Sequence, residues 1–228
     1  MSEHRIAVLS LESKLDVRLL GLVDYQTTLD LQRSLHQQLV EGRIGDTLIV
    51  CSHNPVISCG TSTSDDHLFA SEELLRGQGI ELHKVERGGS ATYHGPEQVV
   101  CYPIIDLKRH RTDVDWYMRS LEEVILRTLR DFGVSGIRVA GKTGVWLDDH
   151  TKIAFSGVRI SRWCTRHGFS LNVFTCGDRF KMINPCGLGD IRVISLSEVC
   201  SQSISLDSVS QRIVAHFSEI FGYERRES

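Results

Sequence analysis

The stretch between Thr112 and Phe132 constrains the fold most strongly, because its residue pattern fits only one secondary structure. Apolar residues, with one threonine among them, recur there at intervals of three or four positions and end before Gly133. That interval gives an α-helix one continuous apolar face, and a glycine directly after it is typical of a helix end. The sequence therefore predicts a long amphipathic helix in the middle of the chain. The stripe comprises Val114, Tyr117, Met118, Leu121, Val124, Ile125, Thr128, Leu129 and Phe132.

Groups of shorter β-type segments lie on both sides of this helix, and further helical patterns lie towards both ends of the chain. The predicted strands occupy residues 47–51, 56–57, 80–86, 98–105, 144–147, 152–160 and 169–173, and the other predicted helices occupy residues 24–41, 71–77 and 207–221. The regular alternation of strand and helix that indicates a doubly wound parallel sheet is missing from the sequence. We therefore expect an α+β fold, with mixed β-sheets and flanking helices, and a glycine-rich loop over residues 87–95.

The overall composition is that of one globular domain spanning residues 1–228. Hydrophobic residues make up 41% of the chain and charged residues 24%, and a single core commonly supports up to about 250 residues. The net charge of −3 gives no electrostatic support for binding to nucleic acid. No run approaches the ~18 apolar residues of a membrane helix, and charged residues near Met1 argue against a secretory signal. We expect a soluble cytoplasmic protein, or one of the mitochondrial matrix or plastid stroma in a eukaryote.

The cysteines are odd in number and irregular in spacing, which favours free thiols in a reducing compartment over a disulfide framework. A zinc site is an alternative, because cysteines and histidines lie near each other in two places. One group is Cys51, His53 and Cys59, and the other is Cys164 with His167. No pair has the C-x-x-C spacing of a structural zinc site, so we expect no bound metal. The cysteines are Cys51, Cys59, Cys101, Cys164, Cys176, Cys186 and Cys200.

Residues 136–143 match the phosphate-loop pattern G-x-x-x-x-G-K-[ST], which ends here in Gly141, Lys142 and Thr143. A phosphate loop follows a buried strand and opens a helix, whose N-terminal amides help to hold the phosphates. In this chain a predicted helix precedes the match and β-type residues follow it. We therefore interpret the match as accidental.

The segment from Arg87 to Pro96 combines adjacent glycines, hydroxyl groups, an arginine and a histidine. Adjacent glycines let the backbone approach a ligand closely, while side chains such as Thr92 and His94 supply hydrogen-bond donors. Loops of this composition often bind ligands. The alternative is a tight turn between two strands.

Two further residues have the chemistry of acyl transfer, although the local pattern decides neither. Cys186 lies between Pro185 and Gly187, and a turn there would present a thiol beside free backbone amides. Most free cysteines are instead small buried hydrophobes. Lys152 opens a mostly apolar strand. It is either a surface lysine or an amine delivered into a pocket, where desolvation would make it usable as a base.

Five sequence blocks, taken in order, resemble the lipoyl (octanoyl) transferase family. They are residues 87–96 (RGGSATYHGP), 143–146 (TGVW), 152–154 (KIA) with 157–160 (GVRI), 167–168 (HG) with 171–172 (LN), and 185–187 (PCG). The resemblance extends at least over residues 47–196, and the segment from Gln98 through the predicted helix that contains Trp116 looks particularly like that of cyanobacterial and plastid-type members. A lineage with oxygenic ancestry is therefore expected.

This resemblance implies transfer of an octanoyl group from acyl carrier protein to a specific lysine of lipoyl domains in 2-oxoacid dehydrogenase complexes or of the glycine cleavage H protein. It implies the fold shared by lipoate and biotin protein ligases, and neither cofactor nor ATP. We also expect a monomer. The family's nucleophile falls on Cys186 and its partner base on Lys152. The implied substrate-binding residues are Arg87, Gly88, Gly89, Ser90, Ala91, Thr92, Tyr93, His94, Phe155, Ser156, Gly157, Gly168, Phe169 and Ser170.

The chain departs from the family pattern at some positions. Glu97 replaces a usual glycine and Asn54 a frequent proline, while residues 155–156 (FS) and 169–170 (FS) replace a small aliphatic pair and a Leu-Ala pair. The bulky phenylalanines leave the preferred acyl chain length open. Two other functions are also open: an ATP-dependent lipoate or biotin ligase, which needs no nucleophilic cysteine, and a silent homologue that only binds carrier protein or lipoyl domains.

Overall fold

The computed structural model describes residues 14–184 and 191–224 and confirms the α+β class. The helices are α1 (Tyr25–Val40), α2 (Glu72–Gly77), α3 (Val114–Asp131), α4 (Gly177–Phe180) and α5 (Leu206–Phe221). The strands are β1 (Asp16–Val23), β2 (Thr47–His53), β3 (Val56–Cys59), β4 (Glu81–Lys84), β5 (Ala91–His94), β6 (Gln98–Ile104), β7 (Val145–Trp146), β8 (Thr151–Ser161), β9 (Cys164–Asn172) and β10 (Arg192–Val193).

The larger sheet contains seven of the described strands. Its order is β1-β2-β6-β9-β8-β10, with β7 paired to β8 outside this series. The β1–β2 and β8–β10 pairs are parallel, and the remaining pairs are antiparallel. The sequence did not predict β1, an edge strand in which Leu19 and Leu22 are exposed and the register shifts at Gly21. Its side chains therefore lack a clear alternation between buried and exposed positions.

Helices cover both faces of this sheet, which explains why β2 and β6 are buried along their whole length. Successive residues of a strand point to opposite faces. Leu48 and Val50 accordingly join a core formed with α3 and α5, whereas Ile49 joins a second core formed with α1. The long helix predicted from the apolar stripe is α3, and the Asp113 side chain caps it by accepting a hydrogen bond from the Trp116 amide. Among the described helices, none is long and apolar enough to span a membrane.

A smaller sheet of β4, β3 and β5 packs against β8 through a shared hydrophobic cluster. Ile57 of β3 and Tyr93 of β5 share one hydrophobic cluster with Phe155 of β8 and Phe180 of α4. The prediction of a continuous loop over residues 87–95 is wrong in its second half, because residues 91–94 pair with β3. The second half of the glycine-rich segment is therefore a strand of the smaller sheet.

The main partner of β8 is β9, which joins it through a two-residue turn at Arg162 and Trp163. Both turn residues have positive φ, 54° and 65°. Such turns usually contain asparagine and glycine, so the sequence carried no signal for this hairpin. The predicted hairpin between residues 144–147 and 152–160 is also present, but only Val145 and Trp146 pair with β8.

Candidate active site

A cavity of about 420 Å³ lies where the two sheets meet. The substrate-binding residues expected from the sequence line it, except Gly88 and Tyr93. The Tyr93 ring instead packs edge-on against Phe180, in the cluster behind the cavity wall. The lining residues are Tyr25, Ser62, His67, Arg87, Gly89, Ser90, Ala91, Thr92, His94, Val100, Tyr102, Gly141, Lys142, Thr143, Phe155, Ser156, Gly157, His167, Gly168, Phe169 and Ser170.

The register of the β8–β9 hairpin brings two of the sequence blocks together. Phe155 lies opposite Ser170, and Ser156 lies opposite Phe169, so each phenylalanine faces a serine. The glycine-rich segment crosses β8 at the next position, where the Gly88 amide donates to the Val158 carbonyl at 2.9 Å. A Cβ atom on Gly157 would lie 2.8 Å from the Gly88 carbonyl oxygen, so this close crossing requires glycine.

Arg87 places a positive charge in the cavity wall. Its side chain is buried and donates from Nε and Nη2 to the Ser58 hydroxyl, at 3.2 and 3.0 Å. Further hydrogen bonds reach the carbonyl oxygens of Ser58 and Gly88. These bonds fix the guanidinium in position, which a freely moving surface arginine would not achieve.

Three buried imidazoles at or near the cavity, those of His53, His94 and His167, are held neutral. Burial lowers the pKa of His94 far below its ordinary value, with contributions from His53 and Arg87. Burial also lowers the pKa of His53 to about 4. For His167, burial and the charges of Arg87 and Arg166 lower the pKa to about 3. At neutral pH these rings therefore act as uncharged hydrogen-bonding groups.

A chain of hydrogen bonds connects the cavity wall with the strand that carries Lys152. His94 Nδ1 pairs with Gln98 Oε1 at 3.2 Å, and Gln98 Nε2 donates to Asn172 Oδ1 at 2.8 Å. Asn172 Nδ2 donates to the backbone carbonyl of Ile194 at 3.0 Å. The backbone amide of Ile194 in turn donates to the carbonyl of Lys152 at 3.0 Å. Three of the sequence blocks therefore meet in one network.

Several polar atoms of the cavity residues are buried without a hydrogen-bond partner among the described residues. They are Thr92 Oγ1, Ser156 Oγ, Ser170 Oγ and both ring nitrogens of His167. A buried polar group without a partner costs about 1–3 kcal/mol. Such groups in one cavity indicate a ligand that brings hydrogen-bonding atoms as well as apolar surface. His167 lies in one of the family blocks, but it is not among the substrate-binding residues that the resemblance implied.

Lys152 is fully buried, as its exposure of 0% shows. Its Nζ lies 4.7 Å from the ring centroid of Trp146 and 4.7 Å from that of Phe155. Its backbone is paired with Trp146 in β7 and with Val193 in β10. The alternative of a surface lysine is therefore wrong. The amine lies directly behind Phe155, a residue of the cavity wall.

The loop before β7 holds this lysine in place. Gly144 has a positive φ of 83°, and a Cβ atom there would overlap the Ala154 carbonyl oxygen and lie 3.1 Å from Lys152 Cε. The buried Glu122 carboxylate accepts a hydrogen bond from the Gly144 amide at 3.1 Å. Its other oxygen pairs with Arg119 at 2.7 Å and with Arg138 at 3.2 Å. α3 thus fixes, through one carboxylate, the loop that packs against Lys152.

Cys186 lies outside the described residues. Before it, the Asn184 amide donates to the carbonyl of His67, a cavity residue, at 2.9 Å. After it, Arg192 pairs with Thr151, the neighbour of Lys152. Burial raises the pKa of most of the described thiols, which makes them weak nucleophiles. These are Cys51, Cys59, Cys101, Cys164 and Cys176, the last with a pKa of about 12.

The segment that matches the phosphate-loop pattern does not open a helix. Ile137 forms a β-bridge with Trp146, and the Lys142 amine donates to the Asp149 carbonyl at 2.7 Å. Gly141, Lys142 and Thr143 nevertheless line the cavity. The six described cysteines are free thiols, and no cluster of metal ligands occurs among the described residues.

Comparison with known proteins shows the family of the chain. Residues 24–218 match the family described as the lipoyl protein ligase A/B catalytic domain. The octanoyltransferase of Acidobacterium capsulatum is 42% identical over 219 residues, which cover 90% of this chain and 89% of the relative. That of Thermosynechococcus vestitus is 40% identical and covers 90% and 89%. The chain belongs to the lipoyl protein ligase A/B catalytic domain family.

Solved structures of this fold include both lipoate and biotin ligases. The bipartite lipoate protein ligase of Thermoplasma acidophilum superposes with a TM-score of 0.69 at 18% identity, over 94% of this chain and 87% of that one. Lipoate-protein ligase A bound with ATP gives 0.70 at 18% identity, over 96% and 89%. The biotin protein ligase of Aquifex aeolicus gives 0.53 at 11% identity, over 92% and 70%. Within its family, the chain is an acyltransferase of the same kind as its octanoyltransferase relatives.

Proposed function

We propose that the protein transfers an octanoyl group from acyl carrier protein to a specific lysine of a lipoyl domain, through a thioester on Cys186. The observation that carries this proposal is the fully buried amine of Lys152 beside the cavity. A lysine removed from water at such a position can serve as a base, and its charged form can stabilise a thiolate. The names of the relatives supply the octanoyl group.

Chain geometry supports the assignment of Cys186 as the nucleophile. Only Pro185 separates it from Asn184, whose backbone amide donates to the carbonyl of the cavity residue His67, so the Cα atoms of Asn184 and Cys186 are at most about 7 Å apart. The five thiols with raised pKa are poor candidates. Cys200 is partly exposed, and its Sγ contacts the Phe132 carbonyl at the far end of α3. Cys186 is therefore the thiol best suited to acylation beside Lys152.

In the first half-reaction, the Cys186 thiolate attacks the carbonyl carbon of the octanoyl thioester. The tetrahedral intermediate collapses with cleavage of the donor's carbon–sulfur bond. The carrier's pantetheine thiol leaves after taking up a proton, for which the Lys152 ammonium is the nearby source. One thioester replaces another, so no external energy source enters the balance.

In the second half-reaction, the amine of the acceptor lysine attacks the acyl-enzyme. Lys152, now neutral, takes the proton that the attacking amine loses. The carbon–sulfur bond to Cys186 breaks, an amide forms, and the thiolate is regenerated. Conversion of a thioester to an amide is downhill, so ATP is not consumed. Backbone amides near Cys186 and on the Lys152 strand are our candidates for stabilising the oxyanion.

The cavity supplies the site for the acyl chain. Its wall includes the apolar side chains of Phe155, Phe169 and Val100. An octanoyl chain gains most of its binding free energy when its apolar surface is buried against such side chains. Lipoyl domains of 2-oxoacid dehydrogenase complexes and the glycine cleavage H protein are the proposed acceptors. We propose that the protein acts as a monomer in the cytoplasm, as expected for its bacterial relatives.

One observation favours an ATP-dependent ligase as a second function. Gly141, Lys142 and Thr143 line the cavity, and a structural neighbour is a lipoate-protein ligase bound with ATP. The test is incubation with octanoyl carrier protein and an apo-lipoyl domain in the absence of ATP. Octanoyl transfer to the domain supports the transferase. Transfer only from free octanoate with ATP would establish the ligase instead, and Lys142→Ala would then lower its affinity for ATP.

A further inference from the structure

Phe155 contacts both the cavity and the amine of Lys152. Its ring lines the cavity and stacks on Phe180, with a centroid distance of 4.8 Å and an interplanar angle of 10°. Its centroid also lies 4.7 Å from Lys152 Nζ. Trp146 contacts the same amine at 4.7 Å and belongs to one of the family blocks. Two aromatic rings among the described residues therefore face this amine.

The face of an aromatic ring attracts a cation, and the attraction increases when both are removed from water. A neutral amine gains much less from the same contact. The fully buried amine of Lys152 therefore meets a ring that favours its ammonium form. Burial by itself acts in the opposite direction, because it disfavours charge. Phe155 changes the balance between these two effects.

We infer that Phe155 is a positioning residue that holds Lys152 in its ammonium form, and so speeds acylation of the cysteine while slowing the later transfer step. This inference rests on the proposed function, in which the ammonium stabilises the thiolate and the neutral amine accepts a proton. Removal of the ring without admission of water should affect the two half-reactions in opposite directions.

Other charged groups around Lys152 do not change when Phe155 is replaced. Lys142 lies on the Trp146 ring, with its Nζ 4.9 Å from the centroid, and hydrogen-bonds to the Asp149 carbonyl. Glu122 accepts a hydrogen bond from the Gly144 amide in the loop before β7 and is paired with two arginines. Arg192 lies one position from the strand partner of Lys152. These groups form a constant background in a comparison of variants at position 155.

The decisive variant is Phe155→Leu, because leucine keeps the amine dry but has no aromatic face. Phe155→Tyr restores the ring and is the conservative rescue. Phe217→Leu is the matched control, since it removes a fully buried phenylalanine ring from the core formed with α3 and α5. Each enzyme is studied as the full chain.

The first measurement is the pH titration of the Lys152 ¹³Cε resonance in the resting enzyme, assigned by its loss in Lys152→Gln. We expect the midpoint to move to lower pH by about half a unit to one and a half units in Phe155→Leu. The midpoint should be unchanged in Phe217→Leu and restored in Phe155→Tyr. An unchanged midpoint in Phe155→Leu would overturn the inference, and this readout requires no catalysis.

The second measurement follows the two half-reactions in single turnover near neutral pH. Phe155→Leu should slow formation of the octanoyl-enzyme and speed its discharge to a lipoyl domain, each by about three- to tenfold. A merely structural role would slow both steps, and that result would overturn the inference. If the unmodified enzyme forms no octanoyl-enzyme, the proposed function fails, while the titration still decides the role of Phe155.

Discussion

Replacement of Gly144 by alanine tests how the Lys152 strand is held. Gly144 has a φ of 83°, in the left-handed region that residues with a Cβ atom avoid. The new methyl group would overlap the carbonyl oxygen of Ala154 and crowd Lys152 Cε at 3.1 Å. Both neighbours belong to β8, whose backbone is fixed by pairing with β9. β7 must therefore move away from β8.

The expected cost has two parts. The left-handed conformation costs alanine about 1–2 kcal/mol, and insertion of a methyl group into filled space costs about 1–3 kcal/mol more. Gly144→Ala should therefore lower the free energy of unfolding by about 2–5 kcal/mol. Gly42→Ala is the matched control, because Gly42 has a φ of 71° with nothing within 4 Å of its Cβ position. It should lose only the conformational part.

Urea unfolding, monitored by circular dichroism, gives both free energies, and the octanoyl transfer rate gives the functional effect. Gly144→Ala should also lower the transfer rate, because displacement of β7 disturbs Trp146 and the Lys152 amine. Gly42→Ala should leave the rate unchanged. Equal losses of stability in the two variants would refute the steric argument, and an unchanged rate in Gly144→Ala would refute the link to Lys152.

Three further predictions follow from the site. Glu122→Gln should lower the free energy of unfolding by about 1–3 kcal/mol, since it removes a buried, charged hydrogen-bond acceptor, whereas Glu123→Gln on the same helix should cost less than about 1 kcal/mol. Similar losses in urea unfolding would contradict the role of Glu122. The depressed pKa of His167 means that between about pH 6.5 and 3 the unfolded chain binds a proton that the folded chain does not. Stability should therefore fall as the pH drops through that window, by about 1.4 kcal/mol per pH unit for each such histidine. Unfolding free energies at pH 7 and pH 5 should differ less in His167→Gln than in the unmodified protein, and the exposed His150→Gln should show the unmodified difference. Phe155→Ala should raise the ratio of kcat/KM for dodecanoyl to that for octanoyl carrier protein by about tenfold, because it lengthens the cavity. An effect on Lys152 is common to both substrates, so an unchanged ratio would show that Phe155 does not limit chain length.

Much of the fold could be predicted because periodic burial leaves a direct trace in the sequence. The stripe from Val114 to Phe132 gave α3 within two residues at each end. β1 left no such trace, since it lies at a sheet edge with alternate residues unevenly buried. The two-residue β10 is too short to show any period. Its existence depends on pairing with a strand about forty positions away in the chain, which no local pattern records.

The candidate site was predicted unevenly, for reasons that are also physical. Family blocks indicated Arg87, His94 and Gly157, and these residues line one cavity. They did not indicate that Lys142 lines the same cavity. Lys142 belongs to the match with the phosphate-loop pattern, which was interpreted as accidental because no helix follows it. Nor did they separate Tyr93 from its neighbours. In the strand its ring packs against Phe180 instead of the cavity.

The burial of Lys152 is the clearest contribution of the tertiary structure. A lysine after a polar turn usually lies at the surface, and the local pattern around Lys152 did not decide between that position and a pocket. Pairing with β7 and β10 encloses the residue, and the rings of Trp146 and Phe155 surround its amine. These contacts connect segments far apart in the chain. The environment of the amine is therefore a property of the fold and not of any short motif.

The octanoyl thioester on Cys186 is the step on which the proposed function depends most directly. The test is mass spectrometry of the intact protein and its peptides after incubation with octanoyl carrier protein, without ATP. We predict one octanoyl group on the peptide that contains Cys186, its discharge on addition of an apo-lipoyl domain, and its absence from Cys186→Ala. An octanoyl group on Cys176 or Cys200, or transfer by Cys186→Ala at the unmodified rate, would contradict the account.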